Sequence, residues 1–342
     1  MLETIWFVLW GVLWTGYFVL DGFDLGLGLL MPFLARDDRE RRLVFNAQGP
    51  FWDGNEVWLI TAGGATFAAF PKTYAVMFSS LYTPLMLLLF ALIFRGISLE
   101  MRSKEPASWW RNTWDACMTG GSFLAALLLG VAFANIFQGL PLDKDGILQG
   151  NLLTLLNPYG LLGGALFVLL FAVHGSIWLT INVGGELRER GAAMAARLWP
   201  VLLAVAVIFL GMTAAVTDLY ANILRWPVLA AFPLLAVAGL VGTRLFLARR
   251  AWWKAWASSS VTIAGAAAFG IAGLYPRLLP SSLDPEGATL TAFNTASSPL
   301  TLSIMLGVAL VFVPVVLAYQ IWVYRHFSFE ISAEDLGKGN AY

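Results

Sequence analysis

Nine stretches of this chain, each 17 to 30 residues long and carrying few charges, leave it little choice of fold. They cover 5–34, 51–70, 73–94, 114–137, 159–181, 198–216, 227–247, 258–274 and 300–324. About 20 apolar residues, rising ~1.5 Å each in a helix, cross the ~30 Å hydrocarbon core of a bilayer. Lipid offers the backbone no hydrogen-bond partner, so only helices or closed barrels span it, and runs this long exceed barrel strands of roughly 10 residues. The expected fold is therefore an all-α integral membrane protein with nine transmembrane helices. Composition agrees, with 59% hydrophobic and 12% charged residues against ~25% charged in soluble domains. The first run lacks a basic flank and is too long for a cleaved signal, so it is expected to stay as the first helix. The expected organisation is one polytopic membrane domain over 1–342, with helices 5–137 followed by helices 159–324 and no soluble domain.

Lysine and arginine mark the sides of the membrane, because cytoplasmic loops collect them. The N-terminal tail has none, and the eight loops in order carry 4, 1, 4, 1, 3, 1, 4 and 1, counting Arg244 with the seventh loop that it adjoins. The C-terminal tail adds 2, so odd loops plus that tail hold 17 and even loops hold 4. This alternation predicts the N-terminus outside and the C-terminus in the cytoplasm. Trp109, Trp110, Trp114, Trp252, Trp253 and Trp256 fall at the predicted cytoplasmic boundaries, as an aromatic belt does. The 21 basic and 21 acidic residues cancel, which gives no reason to expect nucleic acid as a partner.

Acids inside a membrane helix are expensive and usually have a partner or a task. Asp21 and Asp24 lie in the first run, three residues apart and so on one helix face. Two carboxyls sharing a face in a medium of low dielectric favour a retained proton, which suits a proton relay. A second reading has the first helix extend past the bilayer, so that Asp24 reaches cytoplasmic water; both readings stand. Gly22-x-x-x-Gly26 either lets another helix approach closely or marks a bend. The second run opens Gly49-Pro50-Phe51-Trp52-Asp53-Gly54-Asn55-Glu56-Val57-Trp58. Pro50 suits a first helical position, and Asp53 and Glu56 then lie near the positive end of the helix dipole. They either stabilise that helix start or continue a proton path with Asp24 across the short first loop.

Ligands for metals or haem are scarce. The lone cysteine, Cys117, forms no intrachain disulfide and no cysteine cluster. His174 lies within the fifth run and His326 in the tail, at separate depths, and His174 is expected to be a hydrogen-bonded packing residue. Asp143-Lys144-Asp145-Gly146 is a fragment of a calcium loop without its remaining ligands, so a turn is expected there. No Rossmann, Walker or His-Glu-x-x-His pattern occurs.

Asp21-Gly22-Phe23-Asp24-Leu25-Gly26 and Trp52-Asp53-Gly54-Asn55-Glu56-Val57-Trp58-Leu59-Ile60-Thr61-Ala62-Gly63-Gly64 resemble subunit II of cytochrome bd-type quinol oxidases. Met101-Arg102-Ser103-Lys104, Trp110-Arg111-Asn112-Thr113-Trp114-Asp115, Gly185-Glu186-Leu187, Pro280-Ser281-Ser282 and Ser297-Ser298-Pro299-Leu300-Thr301-Leu302 extend the resemblance along nearly the whole chain. The connection 217–226 is short beside some relatives, so no feature of that loop carries over. The resemblance implies two four-helix bundles plus one peripheral helix. It also implies a partner, subunit I, that holds haem b558, haem b595, haem d and the quinol site. Electrons would pass there from quinol to O2, with protons for water drawn from the cytoplasm, building a membrane potential. On this chain the proton route maps onto Asp24 and Asp53, with Asp21 and Glu56 as further candidates. A structural quinone and a small single-helix subunit are further possible partners, beside membrane lipid. The expected location is the bacterial cytoplasmic membrane, and the chain alone is expected not to be catalytic.

Nine helices with intramembrane acids and no cofactor motif also suit a proton-coupled secondary transporter. Transporters often carry internal repeats with paired broken helices, and neither acidic segment recurs in the C-terminal half.

Overall fold

The computed structural model describes residues 1–331. It is built almost wholly from helices: α1 (Leu2–Leu34), α2 (Asp38–Gln48), α3 (Trp52–Ala69), α4 (Pro71–Ser80), α5 (Tyr82–Met101), α6 (Ser108–Gln138), α7 (Leu152–Leu155), α8 (Pro158–Asn182), α9 (Gly185–Val216), α10 (Tyr220–Arg225), α11 (Ala231–Ala248), α12 (Trp252–Leu274) and α13 (Pro299–Phe327). A short antiparallel pair, β1 (Arg277–Leu279) with β2 (Leu290–Thr291), interrupts the connection from α12 to α13. Among the described residues, eight helices are long and apolar enough to cross a membrane. The second apolar run, α3, is not among them, because its first turns carry Asp53, Asn55 and Glu56.

Three expectations need correction. The run 73–94 is not one helix: the chain breaks at Leu81, and the long helix is α5, extending to Met101. Arg95, counted above as a loop charge, therefore lies inside α5 and is wholly buried. Removing it from the odd-loop total lowers 17 to 16 and leaves the alternation intact. Pro50 is not the first helical residue; it sits in a turn before the N-cap Phe51. Helices α6, α9 and α12 also begin well before their apolar runs, since a helix continues into water wherever its next turns find partners there.

The loops sort into two ends. At one end, Arg36 pairs with Glu186, Arg190 with Glu40, Arg250 with Glu189 and Arg188 with Glu330, so the first, fifth and seventh loops meet the segment after α13. Arg102 joins Asp38 and Asp115 at the same end, and Arg111 also reaches Asp38. At the other end, Arg277 holds Asp218 through both terminal nitrogens at 2.6 and 2.7 Å, and Thr4 meets Tyr275. Donation from Arg277 holds the Asp218 carboxyl below the usual carboxylate range. Asp143 turns its own loop there by accepting from the N–H of Asp145 and Ile147, both at 2.9 Å, with Gly146 at φ +77°. The basic loops thus share one end of the molecule and the basic-poor loops the other.

Helix α1 runs unbroken through the middle, packed on α3, α6, α8 and α12. Its glycines serve close approach rather than bending. A Cβ on Gly26 would stand 1.8 Å from the carbonyl oxygen of Phe171 in α8, and one on Gly175 would stand 2.6 Å from the backbone of Gly26. Such backbone contact is how helices associate where lipid removes the hydrophobic drive. α5 packs on α6, α8 on α9, and α11 on α12. Helix α13 is the outlier: Leu302 is its sole buried residue, and it touches chiefly α1 and α3.

Candidate functional site

The interior of the α1–α3–α5 contact is charged. Arg95 sits between three carboxyls, its Nη2 3.1 Å from Asp21 Oδ1 and 4.0 Å from Asp24 Oδ2, its Nη1 2.5 Å from Glu56 Oε1. Arg95, Asp21 and Asp24 are entirely buried, whereas the Glu56 side chain is 20% exposed. Asp24 is held from the other side by Asn55, whose amide donates to its Oδ2 at 2.7 Å and to the carbonyl of Leu20 at 3.1 Å. Asp24 is therefore enclosed by protein and does not reach water at the end of α1.

Helix periodicity explains the assembly. Asp21 and Asp24 share the α1 face that meets α3, and Tyr17 lies one turn earlier on that face, also buried. Asn55 and Glu56 are neighbours on α3 and point to different partners, one to Asp24 and one to Arg95. Asp53 lies one turn before Glu56, exposed, with no hydrogen bond or ion pair among the described residues. Asp21, Asp24 and Glu56 thus come together, and Asp53 stands outside them at the helix start.

Fully ionised, three acids around one guanidinium carry a net charge of −2. Each proton taken up removes one unit, and buried like charges strongly resist coexistence in a low-dielectric interior. Asp21 Oδ2, Asp24 Oδ1 and the Tyr17 hydroxyl have no hydrogen-bond partner among the described residues, and Asp21 Oδ1 has only its ion pair with Arg95. Unsatisfied buried groups in such number are rare and mark a site rather than packing.

Helix α13 closes the site. Gln320 and Tyr324 both donate to Asn55 Oδ1 at 3.0 Å, and Trp58 donates to Gln320 at 2.8 Å. Around them Phe23 stacks on Trp178 at 4.3 Å, and Tyr324 leans on Phe51 at 4.8 Å. Glu56 lines a groove between α3 and α5 on the outside of the helices, shared with Trp52, Gly96 and the exposed Glu100.

Arg95, Asn55, Tyr17, Gln320 and Tyr324 escaped the sequence reading. Arg95 had one available signal. Ile93-Phe94 precede it and Gly96-Ile97 follow, so the apolar run does not end there, and buried acids call for a cation.

His174 is locked in packing. Its Nδ1 lies 2.6 Å from the Ser259 hydroxyl and its Nε2 3.0 Å from the carbonyl of Val19, and its ring stacks on Trp256. Trp256, assigned above to a boundary belt, is thus an interior partner. With both nitrogens engaged, His174 does not fit an axial haem ligand. His326 stacks on Trp322 in the last turn of α13.

These features define an all-helical, multi-pass membrane protein with a buried acid–guanidinium cluster. The family described as cytochrome bd terminal oxidase subunit II matches residues 2–327, and the chain belongs to it. Subunit 2 of the cytochrome bd-I ubiquinol oxidase of Escherichia coli (strain K12) is 39% identical, over 98% of this chain and 97% of that protein. Subunit 2 of the cytochrome bd ubiquinol oxidase of Bacillus subtilis (strain 168) is 34% identical, over 98% of both. The bd oxidase structure from Geobacillus thermodenitrificans shares the fold, with a TM-score of 0.77 and 18% identity over 95% of this chain and 98% of that one. Family membership decides between the two functional readings. This is a subunit of a haem-containing respiratory terminal oxidase, an oxidoreductase complex with subunit I, and not a transporter.

Proposed function

We propose that this chain braces the haem-bearing subunit I and carries protons from the cytoplasm toward the site where quinol-derived electrons reduce O2 to water. The buried cluster of Asp21, Asp24 and Glu56 around Arg95 carries this reading. The path begins at the exposed Asp53, continues one turn along α3 to Glu56, and enters the interior where Arg95 holds Glu56 and Asp21 together. Asp24, 4.0 Å from the guanidinium and held by Asn55, is its inner acid. Glu56 bridges surface and interior: partly exposed on its groove, it is bonded to a wholly buried partner.

The same reading takes α3 as a ninth crossing despite its polar start. It groups α1, α3, α5 and α6 as one four-helix bundle and α8, α9, α11 and α12 as another, with α13 peripheral, all in one membrane domain. The sorting of basic loops supports a cytoplasmic odd-loop end and an outside N-terminus. Proton uptake from that side alone would make the oxidase electrogenic in the bacterial cytoplasmic membrane. Any small single-helix subunit or structural quinone belongs to the complex.

Asp53→Asn tests the path. The amide keeps shape and helix-start preference but carries no exchangeable acidic proton near neutral pH. Turnover of the purified complex is expected to fall about tenfold or more with its haem spectrum intact, and Asp53→Glu to keep partial activity. If Asp53 only stabilises the helix start, turnover stays normal and stability falls by ~1 kcal/mol or less. Measuring O2 consumption and the haem spectrum on one preparation distinguishes the two.

A further inference from the structure

A second groove lies between α12 and α13, on the far side of Tyr324 from the acid cluster. Besides Trp253, Gln320 and Tyr324, three hydrogen-bond donors line it. The indole N–H of Trp256 and the hydroxyl of Ser328 are buried and lack a partner among the described residues. Arg325, in the last turn of α13, is exposed and forms no ion pair or hydrogen bond among the described residues. Among the described residues, no carboxylate lines the groove.

Above the donors the wall turns apolar. Leu317 and Ile321, 42% and 53% exposed, continue the groove along α13 into the membrane-crossing part of the helix, opposite Leu20. The donors themselves lie where the basic loops and the segment after α13 gather. A cation and two neutral donors at a membrane edge, followed by an apolar track, match one molecular shape: an anionic head group with an acyl chain below it.

We propose that this groove binds one anionic phospholipid. Its phosphate is held by Arg325, Trp256 Nε1 and Ser328 Oγ, and its acyl chain lies along Leu317 and Ile321. Buried donors seek acceptors, and a basic residue near the surface favours anionic over zwitterionic head groups. Gln320 and Tyr324 also line the groove while donating to Asn55. The lipid therefore seats the helix that closes the acid cluster.

Native mass spectrometry of the holo-complex tests this after delipidation and addition of phosphatidylglycerol or phosphatidylcholine. The wild-type complex is expected to retain one phosphatidylglycerol in preference to phosphatidylcholine. Arg325→Gln should weaken that retention about fivefold and leave phosphatidylcholine unchanged. Trp256→Phe, which keeps a ring against His174 but loses the N–H, should weaken it in the same direction. Equal retention of the two lipids, or equal retention by wild type and Arg325→Gln, overturns the proposal. Displacement of the lipid by millimolar inorganic phosphate does so too, since the site would then recognise a bare anion. If Arg325→Gln releases subunit I while lipid retention is unchanged, the groove belongs to a protein interface and the proposal fails.

Discussion

Arg95 is one cation answering for three carboxyls, so its removal should be felt beyond its own contacts. Arg95→Gln would leave Asp21 without a counter-charge in a fully buried position, and breaking a buried pair from one side costs about 3–5 kcal/mol. The expected result is a complex of markedly lower thermal stability with depressed turnover. Arg95→Lys should recover only part, because an ammonium is a point charge and cannot hold Asp21 and Glu56 through two separate nitrogens. Thermal unfolding and O2 consumption of both variants check this; equal behaviour of Lys and Gln would remove the two-sided role. Much of this site could be read from residue order. Asp21, Asp24 and Glu56 announce themselves as charges inside apolar runs, whereas Arg95 does not, because arginine after an apolar run ordinarily marks its end. Gln320 and Tyr324 could not be foreseen: their bonds to Asn55 span more than 260 residues, and no local pattern encodes such a contact.

At the scale of helices, the α1–α8 crossing is the tightest constraint. Gly26→Ala would place a methyl 1.8 Å from the carbonyl oxygen of Phe171, a clash backbone must move to relieve. Loss of assembled complex is expected, while Gly211→Ala in α9, which meets nothing within 4 Å, should assemble normally. Detergent-solubilised yield and haem content of the two variants decide; normal assembly of Gly26→Ala would show that α8 can shift. Hydropathy located most helices because lipid contact demands long apolar stretches, and it failed where that demand was absent. α4 packs against the β1–β2 pair at the basic-poor end and of the two only α5 is long and apolar enough to cross a membrane, so one run of apolar residues served two helices. Pro50 misled for a similar reason. Proline suits a helix start, but Gly49 and Pro50 here make the turn from α2, and the helix begins two residues later.

For the whole molecule, sidedness is the property to test. In a Cys117→Ser background, cysteines placed singly at Lys144 and Arg277 should react with an impermeant thiol reagent on intact cells, and one at Arg39 should not. Residues 144 and 277 belong to the basic-poor end, and residue 39 lies in the loop tied by Arg36 and Glu40 to the opposite end. Labelling at 39 alone would invert the orientation. The acid cluster has another consequence, in the order of synthesis. Asp21 and Asp24 leave the ribosome roughly 70 residues before Arg95, an interval on the order of 10 s at bacterial elongation rates. For that time α1 must enter or wait beside the bilayer with both acids and no cation, at ~2.5–3.5 kcal/mol for each charge near a helix centre. Its tryptophans and leucines offset that burden only if the acids hold protons or the nascent chain lingers at the insertion machinery. An α1 segment tested alone should therefore insert less completely than its Asp21→Asn, Asp24→Asn counterpart, and the gap should close when α5 is supplied in the same chain.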